Sequence, residues 1–254
     1  MVSPPSSAVS VVLLMAAAAA AAPAQLPAEM KTCKQTDPQY DQCLKIALQD
    51  SVPTLVKGVR SLGTQPIDPL KIVALSIAEE KNKPVAVNLD FSDVTISGVG
   101  SSVIDAVEMT PGSYDIKIIA HAASPVSMNG NYKLEGKVLA LPIQGMGDCN
   151  ITISNTAVEL LLKGAPLQQD GTTYLDVKDF KFSFTTDRVY LTFNNLFNGD
   201  KALGDNMNKF LNDNWEEILK ELRPTIEEAF SVAFKDISNN LFHKVPYNDI
   251  FPPK

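Results

Sequence analysis

The chain has 254 residues, of which 45% are hydrophobic and 20% are charged, and its formal net charge is −7 at pH 7. This length suits one large domain or two small ones. The acidic balance argues against binding to nucleic acid and against attraction to anionic membranes, and we expect no stable membrane insertion.

The N-terminus has the pattern of a secretory signal peptide. Residues 11–22 form an uninterrupted apolar run, which is too short to span a bilayer. The Ala22-Pro23-Ala24 step that follows is the small-x-small pattern that signal peptidase accepts. The sequence therefore predicts a signal peptide over residues 1–24 and a single secreted domain over residues 25–254. The alternative is a low-complexity alanine tail.

Secretion makes disulfide bonds chemically permissible. Cys33 and Cys43 close a short loop after the predicted cleavage site, and we interpret them as a disulfide pair rather than two unrelated thiols. Cys149 alternates with Ile151 and Ile153, which predicts a small buried apolar side chain rather than a reactive thiol.

One N-glycosylation sequon lies beside this cysteine, at Asn150-Ile151-Thr152. Along a strand, Asn150 faces away from Cys149. The sequence therefore predicts Asn150 as a glycosylation site.

The first helical pattern covers residues 37–63, with apolar residues on one side. We expect Pro53 to divide this helix and Ser51 to cap its second piece. A turn rich in proline at 65–70 leads into a short mixed segment at 71–78.

From residue 84 to about residue 194, apolar residues alternate with polar ones, which is typical of half-buried strands. Glycine-containing steps such as Asn129-Gly130, Gly145-Met146-Gly147 and Asp170-Gly171 are interpreted as turns or bulges. Runs such as 125–141 give strands of about a dozen residues or more, roughly 40 Å long. The pattern predicts a meander of long antiparallel strands.

Residues 201–241 form one long amphipathic helical pattern, on the order of 60 Å at 1.5 Å per residue. We expect Pro224 to kink or break this helix near its middle. The helix and the strands match in length. We therefore predict an α+β fold in which an elongated, highly curved antiparallel sheet wraps around the long C-terminal helix, with a shorter N-terminal helix.

No catalytic constellation is visible in the sequence. His121 and His243 stand in no metal-ligand spacing and near no serine elbow, so we interpret both as structural and expect no metal, no cofactor and no catalytic residue. A long, narrow interior between helix and sheet is instead compatible with an apolar tube for a small molecule, or with a solid core.

Short motifs are spread along nearly the whole mature chain: Cys33 with Cys43, Gln-Pro-Ile-Asp-Pro-Leu at 65–70, Leu-Pro-Ile-x-Gly-x-Gly at 141–147, Leu-Phe-Asn-Gly-Asp-Lys at 196–201, Asn-Asp-Asn-Trp at 212–215, Glu-Leu-x-Pro at 221–224 and Val-Pro-Tyr at 245–247. Together they resemble the takeout and juvenile-hormone-binding protein family of insects. The resemblance implies a fold related to the lipid-binding modules of lipid-transfer proteins, with an internal apolar tunnel.

It also implies an extracellular, non-enzymatic carrier of juvenile hormone, a terpenoid or a fatty molecule, linked to feeding, circadian or chemosensory output and acting on an unidentified receptor. Juvenile-hormone carriers of haemolymph have a second disulfide, for which Cys149 has no visible partner, so the chain looks more like the takeout branch. The alternatives are a secreted lipid hydrolase or isomerase, and a binder of membrane or bacterial-surface lipids.

Apolar residues on the inward faces are the candidate tunnel walls. They are Val52, Val56, Val59, Phe91, Tyr114, Ile116, Tyr132, Phe180, Phe182, Phe184, Met207, Leu211, Trp215 and Phe230. Tyr114 and Tyr132 are the expected polar handles, because each combines a ring with a hydroxyl group.

Overall fold

A computed structural model describes residues 23–78, 83–139 and 141–254. Most of the predicted signal peptide, residues 1–22, lies outside the described part of the chain. The helices are α1 Tyr40–Lys57, α2 Lys201–Asp213, α3 Trp215–Phe242 and α4 Tyr247–Ile250. The strands are β1 Leu70–Ile77, β2 Val85–Ser97, β3 Ser102–Glu108, β4 Ile116–Ala122, β5 Val126–Val138, β6 Leu141–Ser154, β7 Ala157–Gln169, β8 Thr172–Thr185 and β9 Arg188–Phe193.

The strands pair antiparallel throughout, and the predicted fold class is confirmed. They form a five-stranded sheet in the order β1-β2-β5-β6-β9 and a four-stranded sheet in the order β3-β4-β7-β8. Strands β6 and β8 reach 14 residues each, as the long alternating runs predicted. Register shifts in β2, β3 and β8 bend these strands, since a bulge increases local twist and curvature.

Two of the glycine-containing steps that were predicted to be turns or bulges lie inside strands. Asn129-Gly130 is part of β5 and Gly145-Met146-Gly147 is part of β6. A Cβ atom at Gly147 would lie 2.5 Å from the carbonyl oxygen of Asn194, so glycine is required there by a close crossing of two backbones. The predicted turn at Asp170-Gly171 is confirmed as the hairpin between β7 and β8.

The prediction that Pro53 divides α1 is wrong. The helix runs without a break through Pro53, and Ser51 caps nothing, because its hydroxyl donates to the carbonyl of Ala47 at 2.7 Å. Such bonding to the preceding turn keeps a serine inside a helix.

The C-terminal helix breaks at Asn214 rather than at Pro224. Asn214 leaves helical geometry (φ −113°, ψ 21°) and its side-chain amide donates to the carbonyl of Phe210 at 2.8 Å, which ends α2. Pro224 is exposed within α3. The carbonyl of Lys220, whose partner Pro224 removes, therefore lies on a solvent-facing side of the helix, so the lost hydrogen bond costs little there.

Side chains of α2 complete the edge of the five-stranded sheet at β9. The side-chain amide of Asn208 bonds both the N–H and the carbonyl of Phe193, each at 2.9 Å. Asn212, one turn later, does the same for Leu191, at 2.9 and 2.6 Å. The helix thus supplies the hydrogen bonds that a further strand would supply.

Side chains of α3 complete the edge of the four-stranded sheet at β8 in the same way. Asn239 bonds the N–H of Val177 at 2.8 Å and its carbonyl at 3.1 Å. The next amides on this edge donate to oxygen atoms of α3: Phe182 to Ser231 at 2.9 Å and Phe184 to Glu227 at 3.2 Å. The α2–α3 pair therefore lies along the gap between β8 and β9.

Helix α1 covers the opposite edge of the four-stranded sheet, at β3. The side-chain oxygen of Gln49 accepts from Ile104 N–H at 2.7 Å, and its amide donates to the carbonyl of Ser102 at 3.3 Å. Asp41 accepts from the N–H of Met109 at 3.1 Å. Three of the four sheet edges are therefore bonded to helix side chains.

The cysteines are placed as predicted. Cys33 and Cys43 form a disulfide next to the start of α1, and Cys149 is free and buried. Burial raises the pKa of the Cys149 thiol to about 11, with a smaller contribution from Asp148. Cys149 therefore behaves as a packed apolar side chain.

Candidate ligand-binding interior

Five phenylalanines meet between β8 and α3, and we name them the aromatic cluster. Phe180, Phe182 and Phe184 occupy alternate positions of β8 and so share one face of the strand. Phe230 and Phe234 lie one turn apart on α3. Phe182 is central, with ring centroids 5.6 Å from Phe184, 5.6 Å from Phe230 and 5.3 Å from Phe234.

The centre of the aromatic cluster is more exposed than its ends. Phe180 and Phe184 are 6% and 8% exposed, whereas Phe182, Phe230 and Phe234 are only partly buried. Phe182 packs against the core of the four-stranded sheet, and Phe234 packs against the cores of both sheets. These three rings therefore leave apolar surface uncovered where the cores of the two sheets meet.

Two cations flank this region, although the chain contains only three arginines. The guanidinium of Arg223, on α3, lies 5.6 Å from the ring centroid of Phe184. The guanidinium of Arg188, on β9, lies 5.6 Å from the ring of Trp215 and donates to the carbonyl of Asn212 at 3.1 Å. Phe184 and Trp215 share one packed cluster with Val189 and Leu219.

The bonding of the two arginines differs. Arg188 has a backbone partner, whereas Nε of Arg223 is buried without a hydrogen-bond partner. A buried polar atom without a partner is uncommon in folded proteins and calls for an explanation.

The structure distributes the predicted wall residues over three places. Phe180, Phe182, Phe184 and Phe230 meet in the aromatic cluster, beside Trp215. Phe91, Tyr132, Met207 and Leu211 lie together in the buried core under the five-stranded sheet. The others lie near α1 and the four-stranded sheet or its loops: Val52, Val56, Val59, Tyr114 and Ile116. Ligand contact by any of these residues stays a prediction.

The two tyrosines predicted as polar handles already make contacts within the protein. Tyr132 donates its hydroxyl proton to the carbonyl of Asn194 at 2.7 Å, and burial raises its pKa to about 12. The ring of Tyr114 packs against Tyr247 at 4.6 Å. The hydroxyl proton of Tyr132 is therefore used by the fold itself.

Sequence reasoning did not select Phe234 or Arg223. Phe234 stands four residues after Phe230, so helical spacing places the two rings on the same face of α3. Arg223 stands four residues after Leu219 and eight after Trp215, so the same spacing places it near these two apolar residues. This spacing was the available signal.

Both histidines have carboxylate partners. Nδ1 of His121 lies 2.8 Å from Asp105, and Nε2 of His243 lies 3.0 Å from Asp176. Hydrogen bonds from Lys178 and then His243 lower the pKa of Asp176, although partial burial opposes this shift. Within the described ranges, no group of three or more His, Cys, Asp and Glu side chains is arranged to hold a metal ion.

Asn150 is half-buried on β6, and its side-chain amide donates to Asn129 at 2.8 Å. The hydroxyl of Thr152, the third sequon residue, donates to Asn150 at 3.2 Å. Glycosylation at Asn150 stays a prediction.

Fold and site together define a protein in which helices and curved sheets enclose an apolar interior. The haemolymph juvenile hormone binding protein family model matches residues 11–252, and the chain belongs to this family of hydrophobic-ligand carriers. Among the helices that the structure describes, none is long and apolar enough to cross a membrane.

Individual relatives cover most of the chain. The circadian clock-controlled protein daywake of Drosophila melanogaster is 25% identical over 89% of this chain and 88% of its own length. A protein of Schistocerca gregaria named "Putative beta-carotene-binding protein" is 24% identical over 88% of both chains. The crystal structure of Takeout 1 of Epiphyas postvittana matches 87% of this chain and 99% of its own, with 26% identity and a TM-score of 0.72.

Proposed function

We propose that this protein is a secreted carrier that holds one elongated apolar molecule beside the aromatic cluster. The observation that carries the proposal is the partial exposure of Phe182, Phe230 and Phe234 at the junction of the two cores. Family membership and the name of the Schistocerca gregaria relative support a hydrophobic ligand.

Binding on this proposal is driven by desolvation. Each methylene group of the ligand that leaves water contributes about 0.8 kcal/mol. The rings of Phe182, Phe230 and Phe234 are in contact with one another, so together they offer the ligand one continuous aromatic surface. Among the wall residues named from the sequence, Phe180, Phe184 and Trp215 extend this surface. A terpenoid, a juvenile hormone or a fatty molecule all have the required chemistry.

Secretion is part of the proposal and can be tested at the N-terminus. The N–H of Ala24 donates to the carbonyl of Lys244 at 3.0 Å, and this bond would be lost on cleavage before Gln25. Expression in insect cells, followed by intact mass of the protein in the medium, tests the cleavage position. We expect a chain that starts at Gln25.

Ligand binding is tested by native mass spectrometry of the secreted protein, followed by organic extraction. We expect a bound apolar molecule in about one-to-one ratio, chemically unchanged after long incubation. A protein that emerges empty and takes up neither a neutral fluorescent dye nor a fatty acid would contradict the carrier function. Turnover of the extracted molecule on return to the protein would indicate an enzyme instead.

A further inference from the structure

We propose that Arg223 binds the carboxylate headgroup of the apolar ligand, so that the protein is selective for long-chain acids over their neutral esters. The inference rests on the proposed function and names the chemical class of the ligand.

The position of Arg223 points to the interior. Phe184, which lies under its guanidinium, is 8% exposed, and Leu219, one turn before it on α3, is also 8% exposed. Ile226, in the following turn, packs against the buried clusters on both sides. Arg223 itself is partly buried, so its side chain leaves α3 beside these apolar residues while part of the guanidinium stays accessible.

Contact with Phe184 leaves the donors of Arg223 unused. An aromatic ring attracts the face of a guanidinium, whereas its N–H groups point outward in the guanidinium plane. Nε is buried and has no partner, and across the described ranges Arg223 forms no ion pair. Glu227, one helical turn after Arg223, accepts the backbone amide of Phe184 instead.

A carboxylate matches the Arg223 guanidinium in charge and in shape. Its two oxygen atoms match the planar fork of an arginine, so two parallel hydrogen bonds form at once. At a partly buried arginine such charge-assisted bonds are stronger than at a fully exposed one. The aromatic cluster lies next to this position and would take the hydrocarbon chain of the same molecule.

The test compares two molecules that differ in charge and share one chain. Oleate and methyl oleate are each titrated against bound N-phenyl-1-naphthylamine, a neutral fluorescent dye, at pH 8 in the wild type and in Arg223→Met. We expect the wild type to prefer oleate about tenfold or more, and the variant to lose about tenfold in oleate affinity. Affinities for methyl oleate and for the dye should stay unchanged, which also shows that the variant is folded.

Two further variants and one small anion test whether the preference for oleate comes from Arg223 in particular or from positive charge in general. Arg188→Met removes the arginine that has a backbone partner and should leave the preference for oleate intact. Arg223→Lys keeps the charge without the fork and should lose part of the preference, which keeps the test valid if Arg223→Met fails to fold. Sodium acetate at millimolar concentration should not displace oleate.

The outcomes separate this proposal from the carrier function. If the wild type binds methyl oleate as tightly as oleate, or if Arg223→Met and Arg223→Lys both keep the full preference, the role of Arg223 is wrong and the carrier function stands. Displacement of oleate by acetate would mean that Arg223 takes a free anion and would also overturn the proposal. A wild type that binds neither the dye nor either lipid overturns the carrier function itself.

Discussion

Two regions of the interior are built from the same residue types and differ in how completely they are packed. Under the five-stranded sheet, Phe91, Tyr132, Leu196 and Leu211 are each 3% exposed or less, and we name this region the packed core. In the aromatic cluster, three of five rings are only partly buried. An apolar periodicity therefore does not by itself distinguish a core that stabilises from a surface that binds.

The largest difference between the regions should appear when a ring of the packed core is removed. Phe91→Ala leaves a cavity in a close-packed site and should lower the free energy of unfolding by about 3–5 kcal/mol. Ligand affinity of the folded protein should stay unchanged, because Phe91 lies outside the aromatic cluster. Urea denaturation and dye titration measure the two quantities, and a change in affinity at unchanged stability would reverse the assignment of the two regions.

The disulfide should contribute the next largest effect, beside α1. The bridge closes a loop with a sequence separation of 10, and on the chain-entropy model its loss costs roughly 2–3 kcal/mol. Cys33→Ser combined with Cys43→Ser should therefore lower the melting temperature, as scanning calorimetry would show. Melting of the double variant at the wild-type temperature would contradict this account of the N-terminal segment.

A smaller effect is expected where α2 completes the edge of the five-stranded sheet. Asn212→Ala removes both bonds to Leu191 and leaves partly buried backbone groups without partners, at a cost of about 1–3 kcal/mol. Asn206→Ala is the matched control, since Asn206 is exposed on the same helix. Equal urea midpoints for the two variants would show that the edge needs no partner from α2.

The smallest change in stability, and the clearest change in binding, should come from the aromatic cluster. Phe182→Leu keeps an apolar side chain at a partly exposed position and should cost less than about 1.5 kcal/mol. The same change widens the space beside Phe230 and Phe234, so bulkier ligands should gain affinity relative to slim ones. Competition between a branched and a straight-chain ligand measures this ratio, and an unchanged ratio would place Phe182 in the core.

The helices and strands followed from the sequence because they depend on local periodicity, and the disulfide followed from the short spacing of its two cysteines. Long strands from residue 84 onwards, the C-terminal amphipathic helix and the Cys33–Cys43 pair all appear in the structure. The break at Asn214 did not follow, because proline is a stronger local signal than an asparagine that caps its own turn. Exposure of Pro224 is a tertiary property, and sequence does not give it.

The candidate site was harder to predict for a related reason. Phe182 and Phe91 look alike in sequence, since both alternate with polar residues along a strand, yet their packing partners come from different parts of the helices. Arg223 looks like one more charge on a solvated helix face until its buried Nε is seen. Which apolar face is filled, and which charge lacks a partner, are properties of the assembled interior.

The bonds from helix side chains to sheet edges also affect how copies of this protein meet. The amount of ligand that a carrier holds rises with the concentration of the carrier. At high concentration, proteins with unpaired strand edges tend to pair with one another and form fibres. Here β9, β8 and β3 present asparagine-, serine-, glutamine- and carboxylate-bonded amides instead of free ones. The side chains that bond the helices to the sheets therefore also protect the sheet edges against pairing between copies of the protein.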